Sequence, residues 1–151
     1  MTEKGSSVSG NRKNSALRRL AVEADGRHDS DHFFATVISV KRVAANSPVS
    51  YGYHYRTQTE TTLALVSAGF ADGVPRSASG KAFVRVGEVL CPIAGRIAMD
   101  QFIVDCGDNP VSVGDEVEIW GSSPTIEQWS EWSGRPVEAL RAHVGDRVVR
   151  L

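Results

Sequence analysis

Between Phe33 and Trp120 the chain repeats one pattern, a short run of alternating apolar and polar residues followed by a Gly-, Asp- or Pro-rich break. Successive side chains of a strand leave from opposite faces, so each run offers one face to a core. Phe33–Val43 sets Phe34, Thr36, Ile38 and Val40 on one side and Val37, Ser39 and Lys41 on the other. Thr61–Ala68 repeats the pattern with both sides fairly apolar. Ala82–Val86 and Val89–Ile93 read as a hairpin about Gly87-Glu88, with glycine at the first turn position. Val113–Gly121 alternates again, Val117 and Ile119 inward, Glu116 and Glu118 outward. Only then does the period lengthen. Thr125 and Gln128 have capping-box spacing, Ile126, Trp129 and Ser133 follow helical spacing, and Pro136 suits the start of another short helix. Strands first and small helices last predict an all-β fold: a compact, mostly antiparallel β-barrel with short C-terminal helices.

Length and charge narrow the function. A chain of 151 residues can bury one real core but falls short of the roughly 250 residues of an eight-stranded α/β barrel. With 17 basic and 18 acidic residues the net charge is −1, which points away from nucleic acid and from anionic membranes. No apolar run approaches the roughly 20 residues of a membrane helix, and no hydrophobic signal core opens the sequence, so a cytoplasmic location is expected. Cys91 and Cys106 sit in strand-like sequence without a Cys or His cluster, and read as reduced thiols, with no metal site. Residues 1–30 contain no aromatic residue and are rich in Ser, Gly and Asn, so they read as a disordered or weakly helical tail, with a short helical stretch over Ala16–Ala24. The folded domain is expected over 31–151.

The stretch from Pro92 to Asp105 places Arg96 and Asp100 four positions apart between apolar neighbours, Ile93 on one side and Phe102, Ile103 and Val104 on the other. Gly95 marks a bend or a close approach of another backbone. On pattern alone this is a salt-bridged, partly desolvated corner between two strands. A second loop, Gly69 to Pro75, has the Gly/Asp/Pro composition of a segment that carries function on a rigid scaffold.

Five strings fall in order along the chain: Val49-Ser50-Tyr51-Gly52, Gly69 to Arg76, Gly95 to Gln101, Val113-Gly114-Asp115, and Arg147 to Arg150. Together they resemble the C-terminal β-domain of alanine racemase, a pyridoxal-phosphate (PLP) enzyme, from about Phe33 to Leu151. In that family an N-terminal barrel holds PLP on a lysine, and the C-terminal domain reaches into the active site of the other subunit. The resemblance implies that Tyr51 is the tyrosine base, serving one face of the substrate Cα while the lysine serves the other. Met99 and Asp100 become substrate-contact residues. A phenol has a pKa near about 10, so Tyr51 needs nearby cations to act as a base at neutral pH.

The departures from the family are equally specific. Lys4, Lys13, Lys41 and Lys81 are the only lysines, and none resembles the family's lysine motif. Phe70 stands where the family usually has tyrosine, and Val137 where a family tyrosine contacts the PLP phosphate. The expectation is therefore a chain without a cofactor of its own, with PLP on a separate barrel chain to which it supplies Tyr51. The alternative is a catalytically inactive binding or assembly module, stable alone or as a homodimer. The first reading requires an exposed apolar patch around Tyr51, Phe70 and Met99, and the second requires those positions to be covered.

Overall fold

The computed structural model describes residues 19–21, 32–49, 55–145 and 148–150. Its centre is a closed, six-stranded antiparallel barrel. The strands are β2 (His32–Val43), β5 (Thr61–Val66), β8 (Phe102–Gly107), β7 (Val89–Ala94), β6 (Phe83–Val86) and β9 (Glu116–Trp120), and the ring runs in that order. The long strand β2 closes it. Residues Phe33 to Thr36 pair with β9, and Val37 to Val43 pair with β5. Register shifts at Phe33/Phe34 and Val37/Ser39 let one strand serve both seams, since an extra residue bends a strand and increases its twist. Closure leaves no free edge within the ring.

The hairpin about Gly87-Glu88 forms as expected, with Val86 opposite Val89 and Gly87 at φ 63°. A smaller hairpin, β3 (Pro48–Val49) and β4 (Tyr55–Arg56), stands outside the barrel after β2. Helix α1 (Ile126–Ser133) opens with the capping box, Thr125 accepting from the Gln128 N–H at 3.1 Å and Gln128 accepting from the Thr125 N–H at 2.9 Å. Helix α2 (Val137–Ala142) starts directly after Pro136. Trp129 of α1 is fully buried, edge-on to Trp120 at 5.9 Å, and its indole N–H donates to the Ile119 carbonyl at 2.6 Å. The tryptophans are core and helix-packing residues, which plugs one side of the barrel with aromatic surface.

Three local expectations are corrected. In β2 the inward residues are Phe33, Ala35 and Val37, while Phe34 and Ile38 are half-buried on the outside. Both faces of this strand carry apolar side chains, and Phe34 is used to stack on His32 at 5.9 Å. Glu118 is 3% exposed rather than outward in solvent, because Arg85, His32 and Ser122 cover it. Within the stretch read as frayed or weakly helical, Arg19–Ala21 is a strand, β1. It pairs antiparallel with β2 and parallel with β10 (Val149–Arg150). The rest of the expected tail lies outside the described residues.

Cys91 and Cys106 are both buried and both free. The Cys91 thiol donates to the Val89 carbonyl at 3.7 Å and the Cys106 thiol to the Val104 carbonyl at 4.0 Å. The proximity of the two sulfurs holds the Cys91 thiol below its ordinary range, while that proximity and burial push Cys106 up. Among the described residues no cluster of His, Cys, Asp and Glu could hold a metal ion, and no helix is long and apolar enough to cross a membrane.

Candidate functional site

Two loops at one end of the barrel carry most of the sequence-marked residues. The first leaves β5 and turns through Gly69 to Arg76, and the second joins β7 to β8 through Gly95 to Gln101. Gly95 takes φ 80°, a left-handed backbone that lets the chain leave β7 sharply. The loops are zipped together by main chain. Phe70 N–H donates to the Ala98 carbonyl and Ala71 N–H to the Met99 carbonyl, both at 2.9 Å. Ile97 is fully buried and its N–H donates to Ser79 Oγ at 3.0 Å, which roots the second loop in the core.

Gly69 is present for space. A Cβ there would stand 2.6 Å from both Gln101 N and Met99 O and would also collide with Ala98 O, all of them backbone atoms. Asp72, fully buried, accepts the Gly69 N–H on its carboxylate at 2.9 Å, and its carbonyl accepts the Gly145 N–H at 3.1 Å. The chain beyond α2 therefore braces the same loop. Gly69→Ala must separate the two loops, and overpacking of this kind typically costs about 1–3 kcal/mol. The expected result is an unfolding free energy lowered by that amount in urea, with an unchanged slope; a value within error of the parent would mean that the loops are not held rigidly against each other.

This scaffold sets side chains outward. Phe70 is 42% exposed and Met99 47% exposed on the paired loops. The Arg76 guanidinium lies over the Phe70 ring at 4.7 Å, a cation–π contact. Asp100, Gln101 and Arg96 are also exposed. The expected desolvated Arg96–Asp100 corner is thus corrected. The bend buries Ile97 and leaves Arg96 and Asp100 exposed. Asp100→Asn is expected to change stability by under about 1 kcal/mol, as for a surface substitution. A urea titration reads this directly, and a loss of several kcal/mol would make Asp100 scaffold.

Tyr51 lies outside the described residues, in the link 50–54 between β3 and β4. The strands that flank it are described: Val49 is 2% exposed and pairs with Tyr55. The Tyr55 phenol donates to Asp105 Oδ2 at 2.8 Å. Burial, then that bond, pushes the phenol well above the ordinary tyrosine value. Thr61 donates its hydroxyl to Asp105 Oδ1, which also accepts the Gly107 N–H at 3.3 Å. Sequence reasoning missed this Tyr55–Asp105–Thr61 cluster, since its members lie 44 and 50 positions apart and share no local pattern.

A PLP site is not formed by the described residues. Lys41 and Lys81 are both exposed on the surface, and Val137, at the start of α2, brings no hydroxyl to a phosphate.

The profile of the alanine racemase C-terminal domain family matches residues 32–151. The chain belongs to that family. It is 47% identical over 122 residues to the alanine racemase of Salinispora arenicola, covering 78% of this chain and 33% of that protein. It also superposes on the crystal structure of alanine racemase from D-cycloserine producing Streptomyces lavendulae with TM-score 0.77 and 44% identity, over 80% of this chain and 33% of that one. The Bartonella henselae alanine racemase, solved with covalently bound pyridoxal phosphate, gives TM-score 0.76 and 31% identity over 86% and 38% of the respective chains. The chain thus spans about a third of the length of the alanine racemases it matches. The family's β-domain architecture, a closed barrel with two short helices, is the one described above.

Proposed function

We propose that this chain supplies one face of an amino-acid racemase site, of the L-alanine/D-alanine type, to a PLP-carrying barrel on a separate chain. The observation that carries the reading is the pair of exposed apolar side chains, Phe70 at 42% and Met99 at 47%, held rigidly outward by backbone zippering. A soluble domain gains nothing from fixing such groups in water, and a rigid apolar rim suits a partner surface.

Racemisation needs a proton removed on one side of the substrate Cα and delivered on the other. Tyr51 serves one of those sides through its phenol. Met99 and Asp100, side by side on the exposed loop, contact the substrate end of the site. Phe70 holds the rim without the hydroxyl that the family usually places there, and Arg76 covers its outer face. No step of PLP chemistry is assigned to residues of this chain. Two copies in a homodimer would present two such faces, and the reading places the chain in the cytoplasm, where the buried thiols stay reduced.

The test is reconstitution. A racemase barrel truncated before its own C-terminal domain and loaded with PLP is mixed with this chain, and L-alanine conversion is followed by optical rotation. Activity on mixing, absent from either component alone, is the expected result. A complete lack of both activity and complex formation would favour the assembly-module alternative.

A further inference from the structure

We propose that Cys91 and Cys106 are a cross-strand dithiol that a hydroperoxide closes to a disulfide and a thiol reductant reopens, a redox latch below the loop that carries Met99 and Asp100. The register of β7 on β8 supplies the geometry. Ile93 lies opposite Val104 and Ala94 opposite Ile103. Two residues further along, the same register sets Cys91 opposite Cys106. Both side chains are buried and point inward: Cys91 shares the inner side of β7 with Ile93, and Cys106 that of β8 with Val104. Opposed residues of an antiparallel pair have Cα atoms about 4.5–5.5 Å apart. A disulfide bridges Cα atoms about 4.4–6.8 Å apart.

The neighbouring seam singles out Cys106. Thr62 pairs with Gly107 and Leu63 with Asp105, so Cys106 is the extra residue of a bulge against β5. Bulges re-aim side chains, and the Cys106 sulfur is close enough to Cys91 for each to perturb the other. Neither thiol is committed elsewhere, since each makes only a long bond to a carbonyl of its own strand. Cys91 follows exposed Val89 and Leu90 at the start of β7, one strand end away from solvent. Its lowered thiol is the nucleophile, because the thiolate is the form that reacts. With hydrogen peroxide, the Cys91 sulfur attacks one oxygen, the O–O bond breaks, and hydroxide leaves and takes up a proton as water. The Cys106 sulfur then attacks the resulting sulfenic acid, the S–O bond breaks, and a second water carries away the Cys106 proton. Two thiols are oxidised and one peroxide is reduced. The new bond closes a ring over residues 91–106 that contains the whole loop from Gly95 to Gln101, and a cross-link narrows the states open to the segment it encloses. Opposed strand residues have Cβ atoms about 4.5–5.5 Å apart, wider than the roughly 3.5–4.5 Å of a relaxed disulfide. The closed form therefore pulls β7 toward β8 and is of the strained, readily reduced kind.

The test uses the purified full chain and needs no partner barrel. The chain is treated with hydrogen peroxide without denaturant, its remaining thiols are alkylated, and it is digested with trypsin, which cuts at Arg96 between the two cysteines. A Cys91 peptide joined to a Cys106 peptide, about 2 Da lighter than their sum and separated by dithiothreitol, is the expected product. Hydrogen exchange in peptides covering 95–101 is expected to slow at least about five-fold on oxidation and to recover on reduction. Cys91→Ser and Cys106→Ser should each abolish the link. A wild-type chain that links only in urea, that links two copies instead of one, or that gains oxygen on either sulfur without linking would overturn the dithiol. A linked chain with unchanged exchange over 95–101 would overturn the latch.

Discussion

Glu118→Ala is expected to lower the stability of this domain by about 3 kcal/mol, at the low end of the range for breaking a buried ion pair. Glu118 is 3% exposed and its carboxylate holds three separate parts of the chain. It pairs with Arg85 of β6, meets His32 Nδ1 of β2 at 3.1 Å, and accepts the Ser122 N–H at 2.7 Å. Arg85 is further committed by its own donations to the Ser123 and Gly87 carbonyls, both at 2.9 Å. Alanine removes the carboxylate from a partly buried guanidinium and from the Ser122 N–H. The low end of the range applies because Arg85 is 31% exposed and can recover part of its hydration. Glu118→Gln keeps the shape and an acceptor for Ser122 and should lose about 1–2 kcal/mol, the difference of a charge-assisted bond. Urea unfolding with an unchanged slope measures both. A loss under about 1 kcal/mol for the alanine variant would mean that the cluster is hydrated and contributes little to closing the β2–β9–β6 wall.

The elements that could be read in the sequence were those whose cause is local. The Gly87-Glu88 hairpin and the Thr125–Gln128 cap depend on residues at most three positions apart, and both form as the spacing requires. The barrel was legible because the run of short strand-like stretches between Phe33 and Trp120 leaves few other ways to bury their apolar faces. Glu118 was misread for the opposite reason. Alternation correctly put it on the outer face of β9, but Arg85 and His32, 33 and 86 positions away, cover that face. Arg19–Ala21 carries no strand signature of its own; it pairs because β2 and β10 present edges on either side. At the site, the strings about Gly69 and Gly95 marked the two loops, yet only the structure brings them together. Gly69 proves to be required for close approach, while Arg96 and Asp100 are exposed rather than a buried pair.

The largest expected effect is on catalysis, at Tyr51. On the proposed reading, Tyr51→Phe takes away the base on one side of the Cα, while the Tyr55–Asp105 and Thr57–Ala44 bonds of the hairpin are left in place. General acid–base contributions of this kind are worth about 10²–10⁴-fold, or roughly 3–5 kcal/mol in the barrier. The measurement that decides the central claim is L-alanine racemisation in the reconstituted mixture of this chain with a PLP-loaded barrel, run in D2O with wild type and Tyr51→Phe side by side. The account expects racemisation to fall by about 10²-fold or more with the variant, while deuterium exchange at Cα persists from one enantiomer, the one served by the opposite base. Equal racemisation by the two proteins would contradict it.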